Sequence, residues 1–283
     1  MKRLIVLLGV LGVSVSSILV RLSTAPSLVL VLYRVGMAAV LLAPVVVLRN
    51  REEIKKLTLR EAGLCLGSGA CLGLHFAAYF ESLRHTSIAS SVVLVDTEVL
   101  FVALMSIVLF GKKTSPRAWL AIVLALGGSV IIAMADTAAG PDALRGDLIA
   151  LCGAVFVAAY TMIGSVCRKT VSTNVYTFLV YLAAALTVLT ITLFSGMPLT
   201  GYGNINYFTG LGMAVFCTLL GHSVFSWGLK YLPAAFVSTA KLLEPVFASL
   251  LGLALFAERP GMLTVVGGSI VIAAIVLYSR VEE

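Results

Sequence analysis

Five ionisable residues stand deep inside long apolar stretches of the chain: Arg34, Asp96, Glu98, Lys241 and Glu244. Groups of this kind can replace a solute's hydration, hold an ammonium or a carboxylate by charge, or carry a proton across a barrier. Facing lipid, they would together cost on the order of 10 kcal/mol, so they must face a cavity or one another. Lys241 and Glu244 are three residues apart, which on a continuous helix gives them one face, and Ser238 extends that face by a turn. The pair suits the carboxyl and amino groups of a zwitterionic solute; it reads equally as an intrahelical ion pair packed between helices. Pro245 removes a backbone donor, and this either frees a carbonyl toward a cavity or fixes a kink.

Glu98 follows Ser91 by seven residues and so shares nearly the same helix face. Glu98 and Glu244 are candidates for proton coupling, the alternative being a structural pairing of Glu98 with Arg34 or His75. Asp96, two residues away, points to a different face, where it caps or pairs locally. His75, Tyr79 and Ser82 recur at helical spacing as one polar stripe, a pattern that lines water or solute more often than lipid. His222 and Ser226 share a face, with Ser223 and Trp227 on the neighbouring one; each histidine reads either as a site residue or as a hydrogen-bonded packing group. Ser14, Ser17 and Arg21 align on one stretch and Tyr160 lies midway along another, suited to site lining or to close helix packing.

The elements that must position these groups are membrane helices. The chain has 283 residues, of which 60% are hydrophobic and only 12% charged, and its mean hydropathy is +1.08. These values lie far outside those of soluble domains. Apolar stretches run over 4–22, 28–48, 61–83, 87–110, 117–135, 147–167, 174–194, 207–229, 234–256 and 261–279, each near the twenty residues a bilayer requires. Turn chemistry separates them, as at Pro26, Arg49 to Arg60, Lys112 to Pro116, Gly140-Pro141 and Gly196 to Asn206. Lys2 and Arg3 precede an apolar run, as in a signal peptide. The run continues to about Val20 without a small-residue cleavage site, which predicts a first span.

Counting Lys and Arg on alternate sides of ten spans gives fourteen against four, placing both termini in the cytoplasm. The net charge of +7 is therefore topological; the cations are scattered over loops rather than gathered on a face for nucleic acid. The five cysteines lie in apolar segments without metal-ligand spacing and are read as packing residues, so no metal or other cofactor is expected.

A shift of 146 residues superposes the chain on itself, pairing Glu98 with Glu244, Phe101 with Phe247, Leu104 with Leu250 and Phe110 with Phe256. It also pairs Arg84 with Lys230. Each unit holds five spans, an odd number, so the units must sit in opposite orientations. The expected fold is thus an all-α membrane protein of ten transmembrane helices, built as two inverted five-helix repeats over 1–136 and 146–283. Such repeats place a binding site between the halves near the bilayer midplane.

Several segments carry a family resemblance. Leu243-Glu244-Pro245-Val246-Phe247 followed by Leu255-Phe256-Ala257-Glu258 is the most telling. Tyr33-Arg34, Gly73-Leu74-His75-Phe76, Thr86 to Ser91, Gly146-Asp147-Leu148 and Gly221-His222-Ser223 support it in order along the chain. Together they resemble the drug/metabolite transporter superfamily in its EamA-type ten-helix branch. The resemblance implies export, in some members uptake, of amino acids, their derivatives, nucleobases or similar solutes. One departure stands out: where relatives carry a proline in the fourth span, this chain reads Asp96-Thr97-Glu98-Val99.

These readings converge on a secondary transporter of small metabolites in the inner (plasma) membrane, working by alternating access and with proton coupling as an option. The partners expected are a small-molecule substrate and the lipid bilayer, with the chain acting as a monomer or homodimer. A membrane-embedded enzyme or a channel is the alternative. The first would want a nucleophile or metal motif such as GxSxG or HExxH, and neither is present. Primary ATP-driven transport would want a Walker-type glycine loop, also absent.

Overall fold

The computed structural model describes residues 1–86, 88–111, 114–134, 143–257 and 261–281, and all the regular structure among them is helical. The Gly140-Pro141 break and the loop residues Lys112, Lys113, Glu258 and Arg259 lie outside the described residues, as do the side chains of Ser17 and Arg21. In chain order the helices are α1 (Lys2–Leu22), α2 (Ser27–Arg49), α3 (Arg51–Lys56), α4 (Leu59–Ser82), α5 (Ile88–Asp96), α6 (Glu98–Phe110) and α7 (Pro116–Ala133). There follow α8 (Ala143–Cys167), α9 (Thr173–Phe194), α10 (Asn204–Gly212), a π-helical segment (Met213–His222), α11 (Ser223–Gly228), α12 (Ala234–Lys241), α13 (Glu244–Phe256) and α14 (Met262–Val281).

Eight of the resulting rods are long and apolar enough to cross a membrane, and 116–132 and 262–278 are two shorter apolar helices. Leu48, Val108, Phe194 and Phe208 are exposed on the outside, surface that suits lipid and not water. Some helix starts carry a side-chain cap. Thr58 and Glu61 form a capping box, with the Glu61 N–H donating to Thr58 Oγ1 at 3.2 Å and the Thr58 N–H to Glu61 Oε2 at 3.0 Å. Ser115 and Ser172 accept from the first turns of α7 and α9 in the same way.

Two apolar stretches expected to be single helices are each two. The fourth breaks at Thr97, whose hydroxyl donates to the Leu94 carbonyl at 2.5 Å; the ninth breaks at Leu242 and Leu243. In the ninth, Pro245 has no N–H to give and sits in the first turn of α13, where none is needed, so it starts a helix rather than kinking one. The breaks are 146 residues apart, and so are the left-handed residues that end the second pieces, Gly111 at φ 62° and Ala257 at φ 55°. The eighth stretch is likewise irregular, because ten of its residues wind as π-helix.

Buried residues of α1, α6, α7, α11, α12, α13 and α14 form one core cluster, those of α2, α4 and α9 form another, and α8 contributes to both. The helix pair α7 and α14 meets through glycines: a Cβ on Gly128 would lie 2.7 Å from the Gly267 carbonyl oxygen, closer than real atoms approach, whereas one on Gly127 would meet open space. Gly128→Leu should therefore lower thermal stability in detergent by on the order of 2 kcal/mol through overpacking, and Gly127→Leu should leave it within error. Equal melting temperatures for the two variants would contradict this packing.

Candidate functional site

Four of the five membrane-depth charges stand at the two helix breaks. Asp96 ends α5 and Glu98 begins α6; Lys241 ends α12 and Glu244 begins α13. Each glutamate thus sits at a helix N-terminus, where the aligned peptide dipoles favour an anion. A cavity of about 410 Å³ opens beside the breaks, and all four of these side chains, with Arg34 of α2, line it.

Lys241 Nζ donates to Glu98 Oε1 at 2.8 Å, with the two side chains 12% and 5% exposed. The sequence offered Lys241 a partner in Glu244 and offered Glu98 a partner in Arg34 or His75; the structure joins Lys241 to Glu98 instead. α12 ends at Lys241 in a tightened turn through Leu242 and Leu243, and the lysine side chain reaches across to α6. Arg34 Nε donates to Thr218 Oγ1 at 3.0 Å, and its guanidinium stacks 4.6 Å from the Phe76 ring centre. Among the described residues its terminal nitrogens have no hydrogen-bond partner, and Glu244 lies in no ion pair. The irregular eighth rod supplies this anchor, since Thr218 and His222 both belong to its π segment, a feature frequent at functional sites.

His75 and Tyr79 line the cavity with nearly parallel rings, 6.2 Å between centres, and His75 Nδ1 donates to the Gly153 carbonyl at 3.0 Å. His222 also lines it, edge-on to Phe76 and Phe225. Three buried polar atoms in the wall have no hydrogen-bond partner among the described residues: Asp96 Oδ2, Ser129 Oγ and His222 Nδ1.

The remaining candidates sit elsewhere. Ser82, third in the polar stripe, donates to the Tyr79 carbonyl at 2.6 Å and hydrogen-bonds Ser91, so both serines tie the end of α4 to α5. Tyr160 shares a 3.1 Å hydrogen bond with Ser226 behind His222; Trp227 packs on Tyr231; Ser238 is buried; none of the three lines the cavity. Ser129, Ser249 and Thr218 gave no signal in the sequence, because single hydroxyls in apolar helices are commonplace and show no periodic pattern.

From the breaks, the cavity wall continues through Val20, Leu83 and Ile132, near the ends of α1, α4 and α7. A second polar cluster lies away from the cavity, where α8 gives way to α9. Arg168, 2% exposed, donates to the Ser226 carbonyl at 3.0 Å, to Thr173 Oγ1 at 2.6 Å and to the Val171 carbonyl. Beside it Glu53 of α3 accepts the Ser172 N–H at 2.6 Å and the Asn50 amide at 3.0 Å.

A helical membrane protein with a charged cavity at paired helix breaks has the architecture of a transporter. The EamA-like transporter family model matches residues 2–134 and again 144–280, and the chain belongs to that family; it is a multi-pass membrane transporter. An uncharacterized transporter of Archaeoglobus fulgidus is 24% identical over 214 residues, 74% of this chain and 73% of that protein. The pseudopaline exporter of Pseudomonas aeruginosa is 23% identical over 266 residues, 92% of this chain and 89% of that protein. A crystal structure with 15% sequence identity superposes with a TM-score of 0.82, covering 99% of this chain and 98% of that one, and shares the fold.

Removing one member of a buried ion pair strands the other charge, at roughly 3 to 5 kcal/mol. Lys241→Met should accordingly lower the melting temperature, and adding Glu98→Gln should restore most of the loss. A double variant no more stable than Lys241→Met alone would show that the pair does not hold the two breaks together.

Proposed function

We propose that the chain is a secondary active transporter that exports small amphoteric metabolites such as amino acids or related solutes. It works by alternating access between two inverted five-helix halves, 1–136 and 146–283. The observation that carries this reading is the 410 Å³ cavity at the paired helix breaks, in which Arg34 and Glu244, whose guanidinium terminal nitrogens and carboxylate have no partner among the described residues, offer one pole for each charge of a zwitterion.

The inverted arrangement is supported by the packing. The contacts of α4 with α8 and with α9 recur, under exchange of the halves, as contacts of the eighth rod with α1 and with α2, while the contact of α7 with α14 is its own mate. Ten spans, counting the two shorter helices, put both termini on the cation-rich side, which by the positive-inside rule is the cytoplasm. The cavity then opens outward, toward the loops that follow α1, α4 and α7, and the Arg168 and Glu53 contacts close the cytoplasmic end. Inward opening requires that seam to part.

Solute binds with its carboxylate on Arg34 and its ammonium on Glu244, while His75, Tyr79 and His222 wall the site. Lys241 and Glu98 bridge α12 to α6. A proton delivered to Glu98 releases Lys241 and loosens the bridge between the halves, and Glu244 exchanges its proton for solute. These two acids are the route by which export couples to the proton gradient. The exporter named among the relatives supports the direction.

Counterflow of labelled amino acids in proteoliposomes tests the reading. Glu244→Gln and Arg34→Gln should each reduce exchange by at least about tenfold, the loss expected when one charge-assisted hydrogen bond is removed. Trp227→Phe, outside the cavity, should leave it unchanged, and an imposed pH gradient should accelerate the wild type. Full exchange in Glu244→Gln, or no exchange of any amino acid by folded wild type, would contradict the proposal.

A further inference from the structure

The charges in the cavity wall do not balance. Arg34 and Lys241 supply two positive groups; Asp96, Glu98 and Glu244 supply three carboxylates. Lys241 and Glu98 neutralise each other at 2.8 Å, which leaves one cation and two acids for a ligand. A neutral zwitterion that uses Arg34 and Glu244 leaves Asp96 without a countercharge at membrane depth, where an isolated charge is costly.

The surroundings of Asp96 carry the second observation. Ser129 is 1% exposed and His222 is 7% exposed, yet Ser129 Oγ and His222 Nδ1 lack a hydrogen-bond partner among the described residues, as does Asp96 Oδ2. All three residues line the same cavity, from α7, the π segment and α5. Buried polar atoms of this kind are normally satisfied, and three in one wall mark a place where something else completes them. A hydroxyl oxygen, a carboxylate oxygen and an imidazole nitrogen can all accept hydrogen bonds, and a primary ammonium brings three N–H donors.

We infer that Asp96, Ser129 and His222 form a second cation subsite, which selects solutes carrying an additional ammonium group, the basic amino acid class, over neutral zwitterions. The inference rests on the transport function proposed above and adds its specificity. A solute with one carboxylate and two ammonium groups neutralises Arg34, Glu244 and Asp96 together, whereas a neutral tail of the same length leaves the three acceptors empty and Asp96 uncompensated.

The test compares lysine with norleucine, which has the same carbon skeleton without the terminal ammonium, as competitors of labelled substrate in proteoliposome counterflow. Wild type should prefer lysine by at least about tenfold, and Asp96→Asn should bring the lysine-to-norleucine ratio to near one. If Asp96→Asn exchanges neither compound, Ser129→Ala and His222→Phe carry the same test, and each should lower the ratio severalfold. Equal use of lysine and norleucine by wild type would overturn the subsite while leaving the transport function standing. So would a ratio unchanged in Asp96→Asn, or unchanged in both other variants. Exchange of neither compound by folded wild type would overturn the amino acid reading itself.

Discussion

The ion pair between Lys241 and Glu98 is the interaction around which the interior is arranged. Two full charges at membrane depth are tolerable only together, and each comes from a different broken rod, so the pair fixes where α12 and α6 meet. By pairing one cation with one acid it also leaves Arg34, Asp96 and Glu244 as the other charged residues of the cavity wall. Among the described residues Arg34 is hydrogen-bonded only through its Nε, to Thr218, while the Phe76 ring supports the guanidinium face without occupying its donors.

The helix breaks make this arrangement affordable. Irregular backbone inside a membrane is tolerated where it borders a cavity, and both breaks border the same one. They are reached by different local chemistry. Pro245 begins α13 without needing an N–H, whereas Thr97 spends its hydroxyl on the Leu94 carbonyl at the end of the preceding turn. The π segment is a third departure from regular helix, and it brings Thr218 to Arg34 and His222 to the cavity wall. Around these irregular parts the packing is conventional, with glycines admitting close helix contacts and large apolar side chains turned outward.

Much of this was legible in the sequence, because apolar length and charge cost are strong signals. The positions of the helical rods, the repeat that pairs Glu98 with Glu244, and the convergence of Arg34, Asp96, Glu98, Lys241 and Glu244 on one place all follow from hydropathy and self-similarity. Partner choice did not. Spacing sees only neighbours along one helix, so it set Lys241 beside Glu244, whereas the partner that the lysine takes, Glu98, comes from another rod. The stripe of His75, Tyr79 and Ser82 divides for a related reason: Ser82 lies in the last turn of α4, where it bonds Ser91 rather than facing the cavity. Ser129 and Thr218 were invisible, since only the fold distinguishes a hydroxyl that faces a cavity from one that bonds its own helix.

The most direct measurement of the central claim is counterflow by a charge-exchanged protein, Glu98→Lys with Lys241→Glu, alongside each single exchange. If the bridge joins the halves at the solute cavity, each single variant places two like charges together and should lose exchange, while the double variant should recover a substantial part of it. A double variant as inactive as the singles, despite a wild-type melting temperature, would contradict the account, as would full activity in either single variant.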